Sequence, residues 1–188
     1  MSDVVVTDSL GWYIAECKPT KERSLRRSFE SAGYEVYVAS QKRIHVYACR
    51  NRREVETVVI PGKIFVRTTE DKIWDLLLAF SAIHRFMIDR VASDPERGRR
   101  VYACVSDSEM QQMQNILNNA PNPVMFTTEE LTLGQWIEVV RGPLKGLSGK
   151  LARIDKVSYI VLQMKMGEHN YVFTEISIQD VKPLDIQQ

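Results

Sequence analysis

The chain has 188 residues, 44% hydrophobic and 26% charged, with a net charge of +1, which is ordinary globular composition with room for one large or two small domains. No apolar run approaches the roughly 18 residues of a membrane-spanning helix, and the opening MSDVVVTDSL lacks the basic start and apolar core of a secretory signal, so a cytoplasmic protein with no membrane partner is expected. The charge is uneven: between Lys18 and Arg53 ten Lys and Arg face three acids, a local +7 against −6 for the rest, and this third carries the footprint of a polyanion binder.

The first element is a strand with an aromatic start, GWYIAEC from Gly11 to Cys17. Thr20 is placed to N-cap a helix running to about Ala32, with Gly33 as the C′ residue. On it Leu25, Phe29 and Ala32 share one face, and Arg23, Arg26 and Arg27 project on roughly the opposite one. That basic face is either a solvated surface laced by the pairs Glu22–Arg26 and Arg26–Glu30 or part of a polyanion site with the hairpin that follows. YEVYVA (34–39) is a second strand. KRIHVYACRNRREVETVVI alternates on both sides of an Arg50-Asn51-Arg52-Arg53 tip and predicts a hairpin with a basic turn. KIFVRT (63–68) is another strand.

Glu70 to Phe80 predicts a helix with Ile73, Trp74, Leu77 and Leu78 inward. Ile83 to Ile88 is a strand candidate, Asp94-Pro95-Glu96-Arg97-Gly98 a turn, and Val101 to Val105 a further strand. Ser106-Asp107-Ser108-Glu109 has the form of a capping box opening a helix to about Asn119, with Met110, Met113 and Leu117 inward. This order predicts an α+β unit, an antiparallel sheet with helices packed on one side. Ala120-Pro121-Asn122-Pro123 ends the helix, and 120–132 is expected to be a linker. From Leu133 five short strands predict a small closed barrel. The expected domains are therefore 1–119, a linker 120–132, and 133–188.

Between two strands of that last domain lies VVRGPLKGLSGKLARIDK, with Gly142, Gly146 and Gly149 available for positive φ and Pro143 fixing the first turn. An ordinary cluster of β-turns is one reading. With the preceding LTLGQWIE, the stretch also resembles a KOW motif. GWYIAECKPTKERSLRR followed by VVIPGKIFV independently resembles the N-terminal domain of NusG-type transcription factors, the matching positions being Trp12, Tyr13, Ile60, Pro61, Gly62, Ile64, Phe65 and Val66. The two resemblances stand in the family's order and together cover residues 11 to about 185. They imply an NGN-like α+β domain followed by a small SH3-like β-barrel, the KOW domain.

The resemblance further implies binding to the RNA polymerase clamp helices around Ile60, Pro61 and Lys63, floored or supported by Trp12, Tyr13 and Phe65. Trp12 and Phe65 also read as plain core aromatics, and Lys63 stands where the family commonly has an aromatic. Lys18, Lys21 and Arg23 match the segment that faces the non-template DNA strand, and His84 and Arg85 fall in a second region that reaches DNA. The KOW domain of the family recruits a ribosomal protein, a termination factor or RNA; Val140, Leu144 and Met166 lie near that loop surface. EELTLGQWIEVVRGPLKGLSGKLARI, VYACVSDSEMQQMQNIL and FTEISIQDVKPL resemble the specialised UpxY-type antiterminators of polysaccharide operons. A general elongation factor, and a ribosome-associated RNA-binding protein sharing only the KOW module, are the alternatives.

No Walker loop, GxSxG, HExxH or zinc-ligand spacing occurs, and His45, His84 and His169 are dispersed. Cys17, Cys49 and Cys104 are far apart and outside any CxxC, which predicts small buried or half-buried thiols, although Cys17 beside Lys18 has one feature of an activated thiol. The expectation is a monomeric, non-enzymatic protein without metal or cofactor.

Overall fold

The computed structural model describes residues 10–46, 52–94, 96–164 and 170–184, the side chains at 45 and 46 excepted. The sequence expectations for Cys49, Arg50, Asn51, Pro95, Met166 and His169, and for the side chain of His45, lie outside the described residues. In chain order the first elements are β1 (Gly11–Cys17), α1 (Glu22–Ser31), β2 (Glu35–Tyr37), β3 (Ser40–Val46), β4 (Arg52–Val58), β5 (Lys63–Thr68), α2 (Ile73–Ala79), β6 (Ile83–Phe86) and β7 (Cys104–Val105). There follow α3 (Asp107–Asn119), β8 (Val124–Thr127), β9 (Leu133–Val139), β10 (Ser148–Ile154), β11 (Val157–Gln163), β12 (Tyr171–Glu175) and β13 (Val181–Pro183). The fold is α+β. Among the described residues, 10–38 and 61–107 form one compact unit, and 39–60, 108–164 and 170–184 form another.

The first unit is built on a five-stranded antiparallel sheet. β2, β5, β1 and β6 lie side by side, and β7 pairs with the start of β1. β1 is covered on both faces: Trp12, Tyr13, Ile14, Ala15 and Cys17 are all buried, which is why the segment is a nearly continuous apolar run. α1 turns Leu25 and Phe29 inward, and Phe29 stacks on Phe80 at 4.1 Å between ring centroids and meets Tyr34 edge-on at 5.9 Å. Ala32 is exposed. The helix ends as the sequence predicts: Gly33 has φ +84°, and the bonds Gly33 N–H to Glu30 O and Tyr34 N–H to Phe29 O close a Schellman motif.

Two helix expectations are corrected. Thr20 is not the N-cap of α1; it has φ +78°, and Lys21 occupies the cap position without a side-chain bond. In α2, Ile73 and Leu76 are buried, whereas Trp74 and Leu78 are 66% and 70% exposed. A 3₁₀ turn at Glu70–Lys72 precedes a helix of only seven residues. The inward stripe is therefore the narrow pair Ile73/Leu76, and Leu78 lies about 170° from its middle at roughly 100° per residue.

In the second unit β3 and β4 form the expected hairpin, in register from Ser40↔Val58 to Val46↔Arg52. Arg52 and Arg53 thus belong to β4 rather than to the tip. The other sheet has six antiparallel strands in the order β13-β9-β10-β11-β12-β8. The sequence leads to five; the sixth, β8, comes from the stretch marked as a linker, and pairs with β12 from Tyr171↔Thr127 to Thr174↔Val124. The buried Gln41 fastens the same stretch, accepting from Val124 N–H at 3.0 Å and donating to Asn122 O at 3.2 Å. Thr174 Oγ1 donates to Pro123 O at 3.1 Å. β10 and β11 are joined by Asp155-Lys156, both with positive φ, a two-residue hairpin turn without the usual Asn-Gly.

Candidate functional site

The segment from Cys17 to Glu22 leaves the buried strand β1 and enters α1. Its charged side chains Lys18 and Lys21, and Arg23 in the first turn of α1, are exposed. Local bonds shape it: Lys21 N–H donates to Lys18 O at 3.1 Å, and Ser24 Oγ donates to Lys21 O at 2.8 Å. Thr20, β-branched and left-handed, is strained in a way a fully solvated loop would relax.

What holds the segment is Glu22. Its side chain is 2% exposed, and Oε1 accepts from the Gly62 N–H at 2.6 Å. Gly62 in turn accepts through its carbonyl from Cys17 N–H at 2.9 Å. It sits at φ +72°, and a Cβ there would meet Cys17 O at 3.0 Å, so the Pro61-Gly62 turn requires glycine. The expected Glu22–Arg26 pair is thereby displaced; Arg26 pairs with Glu30 at 2.8 Å. Sequence reasoning missed this role for Glu22, although Glu22, Leu25 and Phe29 fall at i, i+3, i+7, so a carboxylate stands on an apolar stripe.

A second constellation crosses three strands. Glu16 on β1 is in register with Lys63 on β5 and Arg85 on β6. Its carboxylate pairs with Lys63 Nζ at 3.3 Å through Oε1 and with Arg85 Nε through Oε2. Burial acts to raise the Glu16 pKa, but the Arg85 hydrogen bond and the Lys63 charge outweigh it, and the group is held below its ordinary value of 4.5. Glu16 therefore brings together two cations that the sequence assigned to different surfaces. His84, beside Arg85 on β6, is exposed and, as its neighbour on a strand, projects the other way.

The remaining residues of the expected polymerase surface divide sharply. Pro61 is exposed and Lys63 half-buried. Trp12, Tyr13, Ile60 and Phe65 are buried. Trp12 Nε1 donates to Asp107 Oδ1 at 2.8 Å, and the Arg67 guanidinium lies 5.9 Å from its ring centroid. Burial pushes the Tyr13 phenol up to about 12, helped by the charges of Cys104, Glu70 and Asp71. Burial likewise raises the Cys17 thiol to about 11, with Glu22 adding to the effect and Lys63 opposing it. This corrects the activated-thiol alternative: the neighbouring lysine is outweighed, and the group is a protonated thiol at neutral pH.

In the second unit the glycine-rich connection folds back on itself. Gly146 N–H donates to Val139 O at 2.8 Å, and Val139 N–H to Leu147 O at 2.9 Å. Gly142 and Gly146 take positive φ, as expected. Gly149 does not; it is required because a Cβ would lie 2.8 Å from Val161 O and 2.9 Å from Ile160 Cγ1. Of the expected partner residues, Leu144 is 2% exposed and Val140 half-buried; Met166 lies outside the described residues. Among the described residues no cluster of three His, Cys, Asp or Glu could hold a metal, and no helix is long and apolar enough to cross a membrane.

The NusG family profile, transcription termination factor nusG, matches residues 10–114. The chain belongs to the NusG family. The structure described as "Domain interaction in Thermotoga maritima NusG" is 18% identical, with 94% of this chain and 98% of that chain covered and a TM-score of 0.43. A chain of the MjSpt4:Spt5 complex is 14% identical, with 92% and 97% covered and a TM-score of 0.28. No curated protein matches the chain.

Proposed function

We propose that this NusG-family protein is an antitermination factor that rides on RNA polymerase. Residues 1–119 hold the polymerase clamp helices around Ile60, the exposed Pro61 and the half-buried Lys63, and the family resemblance gives the buried Trp12, Tyr13 and Phe65 a supporting role. Lys18, Lys21 and Arg23, with His84 and Arg85, contact the non-template DNA strand. β9–β13 serve as the KOW barrel of 133–188, with β8 from the 120–132 segment paired to its β12 edge, and recruit a ribosomal protein, a termination factor or RNA through the surface around Val140, Leu144 and Met166. The protein would act by binding the closed, elongating clamp better than the open one. Its resemblance to UpxY-type regulators supports service in a polysaccharide operon.

The observation that carries the reading is the exposed cationic segment Lys18–Arg23, held in place by the buried Glu22–Gly62 bond inside a NusG-family domain. A termination assay on purified elongation complexes tests it. Added protein is expected to raise read-through, and K18Q/K21Q/R23Q to lower that effect and its retention on the complexes. Equal retention of wild type and triple variant at low and high salt would remove the DNA role. Association with ribosomes and none with polymerase would favour the RNA-binding alternative.

A further inference from the structure

The ribbon that joins β6 to β7 carries four arginines, Arg90, Arg97, Arg99 and Arg100, and three acids, Asp89, Asp94 and Glu96. Two of the acids are committed to the ribbon itself. Asp89 Oδ1 accepts from the N–H groups of Val91 and Ala92 at 2.9 and 3.1 Å. Asp94 accepts from Arg97 N–H at 3.2 Å through Oδ1 and pairs with the Arg97 side chain at 3.5 Å through Oδ2. Paired backbone bonds between Asp94 and Arg99, both 2.8 Å, and a bond from Val101 N–H to Ser93 Oγ at 2.9 Å fix the shape.

These commitments leave Arg90, Arg99 and Arg100 exposed, and no ion pair engages their guanidiniums among the described residues. With Ile88, Ser93 and Gly98 they line a cavity of about 540 Å³. A smaller cavity of about 110 Å³, lined by Glu16, Arg85, Phe86, Met87, Ile88 and Arg90, shares Ile88 and Arg90 with it. The two read as one groove, with cations at Arg85, Arg90, Arg99 and Arg100 and an apolar wall at Ile88 and Phe86. Of these, Arg85 alone has a carboxylate partner among the described residues, Glu16.

Three guanidiniums with no ion-pair partner among the described residues, gathered around one concavity, repel each other and favour an occupant with several negative charges. The planar fork of arginine fits phosphate oxygens. Cations strung along a groove with an apolar wall suit a strand, phosphates on the arginines and sugar or base against the wall, better than a compact ion. We propose that this groove binds single-stranded nucleic acid through its phosphodiester backbone. Arg85 is shared with the DNA contact proposed above, and at that residue the inference rests on that reading; binding through Arg90, Arg99 and Arg100 does not depend on polymerase or on the Lys18–Arg23 segment.

The test uses the full chain and fluorescein-labelled oligo-dT and oligo-rU, with anisotropy titrations across a salt series. Each lost phosphate contact on a single strand lowers the slope of log affinity against log salt by about 0.7. R90Q/R99Q/R100Q is therefore expected to flatten the slope by roughly 2 and to weaken binding at low salt at least about tenfold. R90K/R99K/R100K, which keeps the charge, is expected to keep the slope. Whichever of the two oligonucleotides shows this dependence identifies the strand. Wild-type slope and affinity in the glutamine variant would overturn the proposal, as would inorganic phosphate bound through these arginines with no change for either oligonucleotide. All three side chains are exposed, and an unchanged circular dichroism spectrum and melting temperature confirm the fold; should the triple variant not fold, R99Q alone is read against R99K. The glutamine variant should retain polymerase, so failure here is distinguishable from failure of the polymerase reading.

Discussion

At Glu22 a single carboxylate joins two functions of the sequence. It starts α1 from a buried position, and it satisfies the N–H of a glycine whose backbone is left-handed. Glu22→Ala strands a buried N–H, and a loss of about 2–3 kcal/mol in urea unfolding is expected; Glu22→Gln keeps an acceptor and should lose less. Glu16 acts through charge. Its folded pKa is depressed, so its contribution is complete above the ordinary value of 4.5 and is lost as the pH falls through the folded value. Acid unfolding curves of wild type and Glu16→Gln should therefore diverge at neutral pH and converge in strong acid. Cys17 has the opposite sign: its raised pKa stabilises the folded state below about pH 9, and that contribution is lost as the pH climbs towards 11. Iodoacetamide at pH 8 should modify the exposed Cys104 in the native protein and reach Cys17 only on unfolding, as peptide mass spectrometry would show.

At the scale of elements, the glycine-rich connection separates two physical demands that one residue type can meet. A methyl group at Gly142 meets open space and only the cost of positive φ, about 1 kcal/mol. At Gly149 it drives into the backbone of β11, and Gly149→Ala should lower the melting temperature by clearly more than Gly142→Ala. The sequence cannot tell these cases apart, because closeness of strands is not written in spacing. β1, β5 and α1 are legible because local pattern and tertiary burial agree there, whereas the β3–β4 hairpin, exposed at Ile44 and along most of β4, is legible from its alternation and basic turn alone. α2 misleads because a short 3₁₀ entry resets its phase, and the double change Trp74→Ser with Leu78→Ser should alter stability by less than about 0.5 kcal/mol. β8 hides among polar residues, its pairing being supplied by β12. Within the candidate site, the exposed Lys18, Lys21 and Arg23 are legible as charge. The bond that holds their segment is not, since it joins residues forty positions apart.

For the whole molecule, the net charge of +1 conceals a cationic N-terminal third, for which the proposed contact with DNA is a use. Electrostatic contacts to a phosphate backbone weaken steeply with salt, whereas an apolar protein contact does not. Retention on elongation complexes should thus fall with salt to a plateau set by polymerase alone, and K18Q/K21Q/R23Q should start near that plateau. The most direct measurement is a pull-down of RNA polymerase by the tagged full chain from lysate of its own source, with the captured subunits identified by mass spectrometry. The account expects core polymerase in near-stoichiometric amount, retained in high salt. Absence of polymerase from the captured material, with ribosomes or RNA alone in its place, would contradict it.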